Sequence, residues 1–487
     1  MPRLQSHSAV DREFFQLVAR AAFCNPFTDE YRDFLRRITG GDDPLAVGAA
    51  VSARVDSLAK SGGAELRHFK GEEREEMRLV FLYDAYHRVQ TALDALIVDQ
   101  LAAGETLVPV PFARDCLQLM RRRGFEADES ARLFAIFFQI RRAAHFIDRG
   151  LVGPSTAMKS FRRRLWENVF THDIRTYERL LWNRMEDFST LLLGETGTGK
   201  GAAAAAIGRS AFIPFDERRG TFAESFTRGF VALNLSQFPE ALIESELFGH
   251  RKGAFTGAVE AHEGVLARCS PYGAIFLDEI GDVSVPVQIK LLQVLQDRTF
   301  TPVGSREPRR FRGRIIAATN RALPDLRGRG LFRDDFYYRL CSDAIVVPPL
   351  RQRFAEEGRE FEELVAHVLR RLAGENSPAL LRSTRAALLA SVGRDYRWPG
   401  NVRELEQAIR RILLTQSYEP SFAAAASGEH GPALAAAFQA GTLDADALLG
   451  GYCTLLYEQC RNLEEVARRT KLDRRTVKRY LGLVTST

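Results

Sequence analysis

Ser189-Thr190-Leu191-Leu192-Leu193-Gly194-Glu195-Thr196-Gly197-Thr198-Gly199-Lys200-Gly201 decides how the rest of the chain is read. A short apolar run leads into a glycine loop, and the loop opens onto the helix-forming stretch GAAAAAIG (201–208). Strand, glycine loop and helix form the context that a phosphate-binding loop requires. Glycines let successive backbone N–H groups point inward at phosphate oxygens, and the helix N-terminus adds a favourable dipole. Lys200 supplies a point charge for the β- and γ-phosphates. The nucleotide-binding candidates are therefore Gly194, Glu195, Thr196, Gly197, Thr198, Gly199, Lys200 and Gly201. Gly201 stands where the generic motif places a Ser or Thr for Mg²⁺, so a metal would depend more on water and on a carboxylate elsewhere.

That carboxylate lies about eighty residues on, in Gly273-Ala274-Ile275-Phe276-Leu277-Asp278-Glu279. An acidic pair after a strand is, on its own, most often a helix cap or a solvated turn. Joined to a phosphate loop, it places both acids at the C-terminal edge of the same sheet. Successive side chains diverge, so Asp278 can hold Mg²⁺ while Glu279 polarises an attacking water.

Further strand-like runs at Phe230–Leu233, Arg314–Ala318 and Ala344–Val347 alternate with helical sequence, which predicts an α/β domain with a mainly parallel sheet over 151–350. Residues 351–416 read as helices only, a lid. The Ala/Gly/Pro/Ser-rich stretch 417–446 has little core-forming capacity and reads as a linker, and a compact basic helical unit occupies 447–487. Residues 1–150 carry apolar positions at mixed three and four spacings and predict a helical bundle. His7, His68, His87 and His145 are far apart there, and no metal-ligand cluster is visible.

The chain has 487 residues, 45% of them hydrophobic and 27% charged, enough for roughly three packed domains and too apolar for a disordered chain. Its six cysteines are scattered without a C-x-x-C pair, which argues against a disulfide framework and points to a reducing, cytoplasmic compartment. No apolar run reaches membrane-spanning length, so no membrane partner is expected. A formal charge of +6 is small for this length, and any nucleic-acid affinity must be local.

Glu244-Ser245-Glu246-Leu247-Phe248-Gly249-His250 followed by Lys252-Gly253-Ala254-Phe255-Thr256-Gly257-Ala258 strongly resembles the bacterial enhancer-binding proteins, AAA+ ATPases that activate sigma-54 RNA polymerase. FLDEIGDV, QIKLLQVLQDRTFTPVG, IIAATNR, LFRDDFYYRL and WPGNVRELEQAIRR carry the same likeness, which runs from about Leu151 to Leu414 and resumes at the extreme C-terminus. The resemblance implies ATP and Mg²⁺ as cofactors, the sigma-54 RNA polymerase holoenzyme as partner, and a homo-oligomeric, hexameric ring as the active state. It implies that the hexapeptide Gly253, Ala254, Phe255, Thr256, Gly257 and Ala258 forms a mobile tip that touches sigma-54. By the same likeness Asn234 looks like the switch that holds or releases Glu279, and Thr319 and Asn320 look like the phosphate sensor. Arg333 and Arg339 match arginine fingers that reach a neighbouring subunit, and Arg403 looks like a lid residue reaching the nucleotide. The glycines of the hexapeptide favour a surface turn, and an exposed Phe255 costs solubility unless it has a partner.

Arg461 to Tyr480 holds eight basic and three acidic residues and parses as helix, short turn, helix. Asp473 is placed to cap the second helix, from which Arg474, Arg475, Lys478 and Arg479 project. This resembles the Fis-type helix-turn-helix of many enhancer-binding proteins and implies binding of double-stranded DNA at an upstream site. Lys471 stands where such a turn often has glycine. Gly201 keeps a second reading open, a DNA-bound regulator whose ATPase fold only sets its oligomeric state. A chaperone or helicase loader would leave GAFTGA unexplained. By position, residues 1–150 should restrain or release the ATPase, and the long stretch Thr171–Asp187 offers a surface on which that bundle could dock.

Overall fold

The computed structural model describes residues 9–374, 377–393, 395–419, 434, 437–441, 443–460 and 462–481. Most of the linker expected at 417–446 lies outside the described residues. Two compact units result, one of residues 1–376 with 400–405 and one of residues 377–399 with 406–487. No helix among the described residues is long and apolar enough to cross a membrane.

The first unit opens with helices α1 (Ala9–Ala21), α2 (Asp29–Thr39), α3 (Pro44–Lys60), α4 (Gly71–Ala103), α5 (Ala113–Arg122) and α6 (Ala127–Gly150), followed by α7 (Thr156–Phe170) and the short α8 (Ile174–Thr176). The α/β part then runs β1 (Thr190–Leu193), α9 (Lys200–Gly208), β2 (Phe215–Asp216), β3 (Thr221–Phe222), β4 (Phe230–Asn234), α10 (Glu240–Phe248), α11 (Val265–Arg268), β5 (Ala274–Asp278) and α12 (Val285–Asp297). It continues with β6 (Thr299–Phe300), β7 (Arg309–Arg310), β8 (Arg314–Thr319), α13 (Leu323–Gly328), α14 (Asp334–Leu340), β9 (Asp343–Val346), α15 (Leu350–Glu356) and α16 (Arg359–Ala373).

Five strands form one sheet in the order β4-β5-β8-β1-β9, and all four pairings are parallel. Each of the five strand-like runs in the sequence is one of these strands. Neighbouring residues on a strand face opposite sides of the sheet, and here both sides are covered. Leu191, Ile275, Leu277, Ile315 and Ala317 pack with α12 and α14 through Leu291, Leu295, Phe336 and Leu340. Leu192, Phe276, Ile316 and Ala318 pack with α7 and α9 through Phe161, Leu165, Ala204 and Ile207. Two-sided burial explains why the strands read as continuous apolar runs rather than alternating ones.

The bundle α1–α6 is pinned internally by Asp84, fully buried on α4, which pairs with Arg88 at 2.9 Å and also binds Arg123 and Ser52. Its hydrophobic core does not end at residue 150. Ile213, Phe215, Phe222 and Phe226, inserted between α9 and β4 around the β2–β3 hairpin, belong to the same cluster as the bundle helices. Phe222 stacks on Phe138 with ring centres 4.4 Å apart, and Phe215 meets Phe134 edge-on at 5.0 Å. The stretch expected to dock the bundle does so: buried Glu178 receives Arg78 at 3.2 Å and Arg132 at 3.1 Å, and the Tyr177 hydroxyl donates to Gln139 at 2.9 Å.

In the second unit, α17 (Pro378–Val392) precedes the later turns of α18 (Asn401–Thr415), and α19 (Ala445–Cys460), α20 (Leu463–Thr470) and α21 (Arg474–Tyr480) pack around Cys453, Leu456, Val466 and Val477.

Candidate functional site

The glycine loop leaves β1 at the C-terminal edge of the sheet, between β8 and β9, and runs into α9. Gly197 (φ 78°) and Gly199 (φ 106°) occupy the left-handed region, where a side chain is strained. A Cβ on Gly197 would also collide with the Gly400 carbonyl, so glycine is needed there twice over. Lys200, the first residue of α9, is buried, and its Nζ donates to the carbonyls of Gly194 at 2.9 Å and Glu195 at 3.2 Å. Burial lowers the Lys200 pKa, Glu279 and Asp278 pull it back up, and Arg403 lowers it further. The ammonium is thus held inside the loop by backbone oxygens.

Asp278 ends β5 and accepts the Glu279 N–H at 3.1 Å. Glu279 is in the left-handed conformation (φ 57°), an uncommon place for a non-glycine residue. Asn320, just past β8, joins the two halves of the site. Its side-chain amide donates to Thr196 Oγ1 at 2.8 Å, and its backbone N–H donates to Glu279 Oε2 at 3.3 Å. Thr319 is fully buried and accepts the Arg321 N–H at 3.0 Å. Asn234 lies opposite Asp278 in the β4–β5 register, with Oδ1 accepting the N–H and hydroxyl of Ser236 at 3.0 and 2.8 Å. In this conformation Asn234 acts as a strand-end cap.

Arg403 is exposed above the loop, and its N–H donates to the Gly197 carbonyl at 3.3 Å. The sequence motif WPGNVRELE reads as a helix cap at Asn401, but the structure gives that residue another task. Asn401 is fully buried in the left-handed conformation (φ 53°), accepts the Leu350 N–H at 2.9 Å, and donates to Glu195 Oε2 at 3.2 Å and the Thr196 carbonyl at 3.1 Å. Gly400 N–H is satisfied by the Glu404 carboxylate at 2.8 Å. Glu195 is held from the other side by a two-pronged contact to Arg351 at 2.5 and 2.6 Å, which keeps its carboxyl below the ordinary range. Arg351 carries no reactive chemistry and gave no sequence signal; with Asn401 it braces the loop. Asparagine tolerates the left-handed region, and the Pro-Gly-Asn triplet was the available signal.

Arg333, before α14, is exposed and forks onto Asp335 at 3.0 and 2.7 Å, while Arg339 donates to the Leu295 carbonyl at 3.1 Å. Both are exposed on the surface of their own chain. The Arg333–Asp335 pair is exposed and contributes little to stability.

Residues 253–258 form the tip of an arm between α10 and α11. The tip closes with Gly253 N–H donating to the Ala258 carbonyl at 2.8 Å, and Gly253 and Gly257 take φ of 79° and 102°. Thr256 is exposed and Phe255 is 38% exposed, so the aromatic ring is outside the core. Below the tip, His250 and His262 exchange backbone hydrogen bonds at 2.9 and 3.0 Å, and Arg251 and Val303 add a second rung at 3.0 Å. His250 fixes the base: Nδ1 meets Ser245 Oγ at 2.6 Å, Nε2 meets the Glu260 carbonyl at 3.0 Å, and its ring lies 4.9 Å from Phe255, edge to face. A lone histidine gives no sequence signal for such a role.

At the C-terminal end, Asn462 caps α20 and Asp473 caps α21, the latter accepting the Arg475 and Thr476 N–H groups at 2.9 and 3.0 Å. Lys471 makes the turn between them in the left-handed conformation (φ 56°), a task glycine performs without strain. Val477 faces inward, while Arg474, Arg475 and Arg479 are exposed and Lys478 is half-buried, so the four cations share the outer side of α21.

Residues 170–346 match the Sigma-54 interaction domain, and residues 356–421 match an AAA+ ATPase lid domain. The chain is 42% identical over 269 residues to the DNA-binding transcriptional regulator NtrC of Azospirillum brasilense, a match covering 55% of this chain and 49% of that protein. It is 36% identical over 326 residues to the C4-dicarboxylate transport transcriptional regulatory protein DctD of Rhizobium meliloti, covering 66% and 63%. Against the transcriptional regulatory protein ZraR of Klebsiella oxytoca it is 37% identical over 341 residues, covering 70% and 67%. The chain thus spans about half the length of NtrC and close to two thirds of DctD. With the phosphate loop, the acidic strand end and the GAFTGA arm carried on one parallel sheet, and with two thirds of ZraR matched at this identity, the chain belongs to the sigma-54-dependent enhancer-binding activators, built on an AAA+ domain.

Proposed function

We propose that the chain hydrolyses ATP and uses the cycle to move the GAFTGA arm against sigma-54 in the RNA polymerase holoenzyme, opening a promoter from an upstream DNA site. One observation carries the reading. Asn320 binds Thr196 in the phosphate loop with its side chain and Glu279 with its backbone, so a change at the phosphates reaches the catalytic carboxylate through a single residue. In this reading, Lys200 and the loop N–H groups hold the phosphates and Glu279 takes a proton from the attacking water. Asn234 exchanges Ser236 for Glu279 in one nucleotide state, and Arg403 closes over the loop.

The donor set fits a divalent cation of the Mg²⁺ type: Asp278 is a carboxylate at the sheet edge, and such an ion usually keeps several waters and needs few protein ligands. When bound, the ion would neutralise phosphate charge. Arg333 and Arg339 lie on the chain's own surface, where they can serve a neighbour's site, which is why turnover should require a ring, hexameric by family likeness. The outer side of α21 would enter a major groove, with Arg474, Arg475, Lys478 and Arg479 meeting bases or phosphates.

The deciding experiment compares the full chain with Glu279→Gln for ATP turnover, nucleotide binding and open-complex formation on a sigma-54 promoter. The expected result is turnover and promoter opening in the parent, with both lost in the variant while nucleotide binding persists. A parent that binds nucleotide and assembles without hydrolysing it would overturn the proposal and favour the second reading, an ATPase fold that only sets oligomeric state.

A further inference from the structure

Glu360, on the first turn of α16, is fully buried, and its partner Arg353 on α15 is 3% exposed. Arg353 Nε donates to Glu360 Oε1 at 2.6 Å. The nucleotide cycle proposed above uses neither residue.

Both members of the pair also bind the chain that leaves the N-terminal bundle. Glu360 Oε2 accepts the Ser155 N–H at 2.8 Å, and Arg353 Nη2 donates to the Val152 carbonyl at 2.7 Å. Glu356, the last residue of α15, accepts the Ala157 N–H at 2.7 Å. The segment 151–157, which leads from α6 into α7, is thus bound by three side chains of α15 and α16. Gly153 shows how closely it approaches: a Cβ there would come within 2.0 Å of Glu360 Oε1.

The same short helix is bound to the phosphate loop. Arg351 forks onto Glu195, and the Leu350 N–H is held by Asn401, which also donates to the Thr196 carbonyl. Arg351 and Arg353 are two residues apart, about 200° around a helix. The phosphate loop therefore grips α15 on one side and the 151–157 segment grips it on the other.

Stability alone is a poor reason for a buried ion pair. Taking two charges out of water costs about as much as their attraction returns, and a well-packed apolar pair of similar volume does as well or better. Charge-assisted hydrogen bonds add direction, and here they fix α15 against both of its neighbours.

We propose that Arg353 and Glu360 are positioning residues of the nucleotide site. They hold α15 so that the chain leaving the N-terminal bundle sets how tightly the phosphate loop grips the β-phosphate. Both act through Arg351 and its hold on Glu195. The inference rests on the loop binding nucleotide, as proposed above.

The test measures the affinity of the full chain for ADP and for AMP by competition with a fluorescent ADP analogue. The two nucleotides differ by the β-phosphate, so their affinity ratio reads the grip of the loop; partial unfolding would weaken both equally and leave the ratio unchanged. Two variants disturb the arrangement from opposite sides. Gly153→Ala drives a methyl group into the Glu360 carboxylate from the linker. Arg353→Met combined with Glu360→Gln removes both charges, while the amide oxygen keeps an acceptor for the Ser155 N–H. The expected result is a preference for ADP over AMP lowered about 5-fold or more in each, the scale on which contacting residues couple. Where circular dichroism shows one variant misfolded, the other decides. A preference equal to the parent's, in a parent that itself prefers ADP, overturns this inference and leaves the nucleotide reading standing. A parent that binds no ADP overturns both.

Discussion

Arg142 donates to the Arg209 carbonyl at 2.8 Å, and so ties the sixth helix of the N-terminal bundle to the far end of the helix that begins at Lys200. A second bond at 2.7 Å reaches the Ala211 carbonyl, and the guanidinium lies 4.8 Å from the Phe138 ring centre. Burial without a carboxylate pulls the Arg142 pKa down to about 9, yet the group stays cationic near neutral pH. Carbonyls at a helix C-terminus carry partial negative charge and are the natural partner for it. Bundle and ATPase core thus share a charged joint as well as an aromatic one.

Arg142→Met keeps the apolar stem but leaves the carbonyls of Arg209 and Ala211 unpaired. Two buried orphan acceptors predict a loss of about 2–4 kcal/mol in urea-unfolding stability. The same variant should shift ATP turnover, because the end of the phosphate-loop helix loses its anchor. A variant as stable as the parent, with unchanged turnover, would show that the joint transmits nothing.

Gly201 is the departure from the phosphate-loop pattern, and its surroundings do not enforce it. A Cβ there would meet only Phe276 Cε1 at 3.9 Å, ordinary van der Waals contact, and the residue is exposed. Gly201→Ser therefore adds a hydroxyl where the generic motif has one, without steric cost and with a modest gain in helix propensity. The expected outcome is half-maximal turnover at a several-fold lower Mg²⁺ concentration, with stability equal to or above the parent. An unchanged Mg²⁺ requirement would mean that water fills the position equally well.

His87 gives the bundle a pH dependence whose sign follows from burial. Its folded pKa is about 4, against 6.5 for the free side chain, and Tyr83, Tyr86, Arg141 and Asp84 surround it. Between those values the unfolded chain binds a proton that the folded chain refuses, so stability falls as pH drops from about 6.5 towards 4. The loss amounts to roughly 3 kcal/mol at most. His87→Asn should flatten that slope relative to the parent in urea unfolding at stepped pH. Parallel slopes in the two proteins would assign the acid sensitivity to carboxylates instead.

The ATPase part was legible because its chemistry is local. Parallel strands buried on both faces read as short apolar runs, and the phosphate loop, the Asp278–Glu279 pair and Asn320 sit at their ends. What sequence could not show depends on contacts between distant segments. Phe215, Phe222 and Phe226 look like ordinary loop aromatics until the hairpin is seen inside the bundle core. For that reason a cut at residue 150 would strip a shared core, and regulation is better tested in the full chain. Asn401 and His250 brace loops through contacts to Thr196 and Glu260 that neither residue's own chemistry announces.

The arm offers the sharpest separation between hydrolysis and work. Phe255 and Thr256 project from a tip with glycines at both flanks, while the phosphate site is built from β1, β5 and β8. Neither tip residue contributes to the core, so Phe255→Ala and Thr256→Ala should leave folding stability within about 0.5 kcal/mol of the parent. ATP turnover should stay within about 2-fold, since no catalytic group is touched. Open-complex formation on a sigma-54 promoter should fall by about 10-fold or more, as expected when an exposed aromatic anchor is removed from an interface. His250→Ala makes the complementary case: it removes the Ser245 and Glu260 contacts at the base and should impair opening with Phe255 and Thr256 still present. Full promoter opening by Phe255→Ala and Thr256→Ala would place the working contact elsewhere on the subunit.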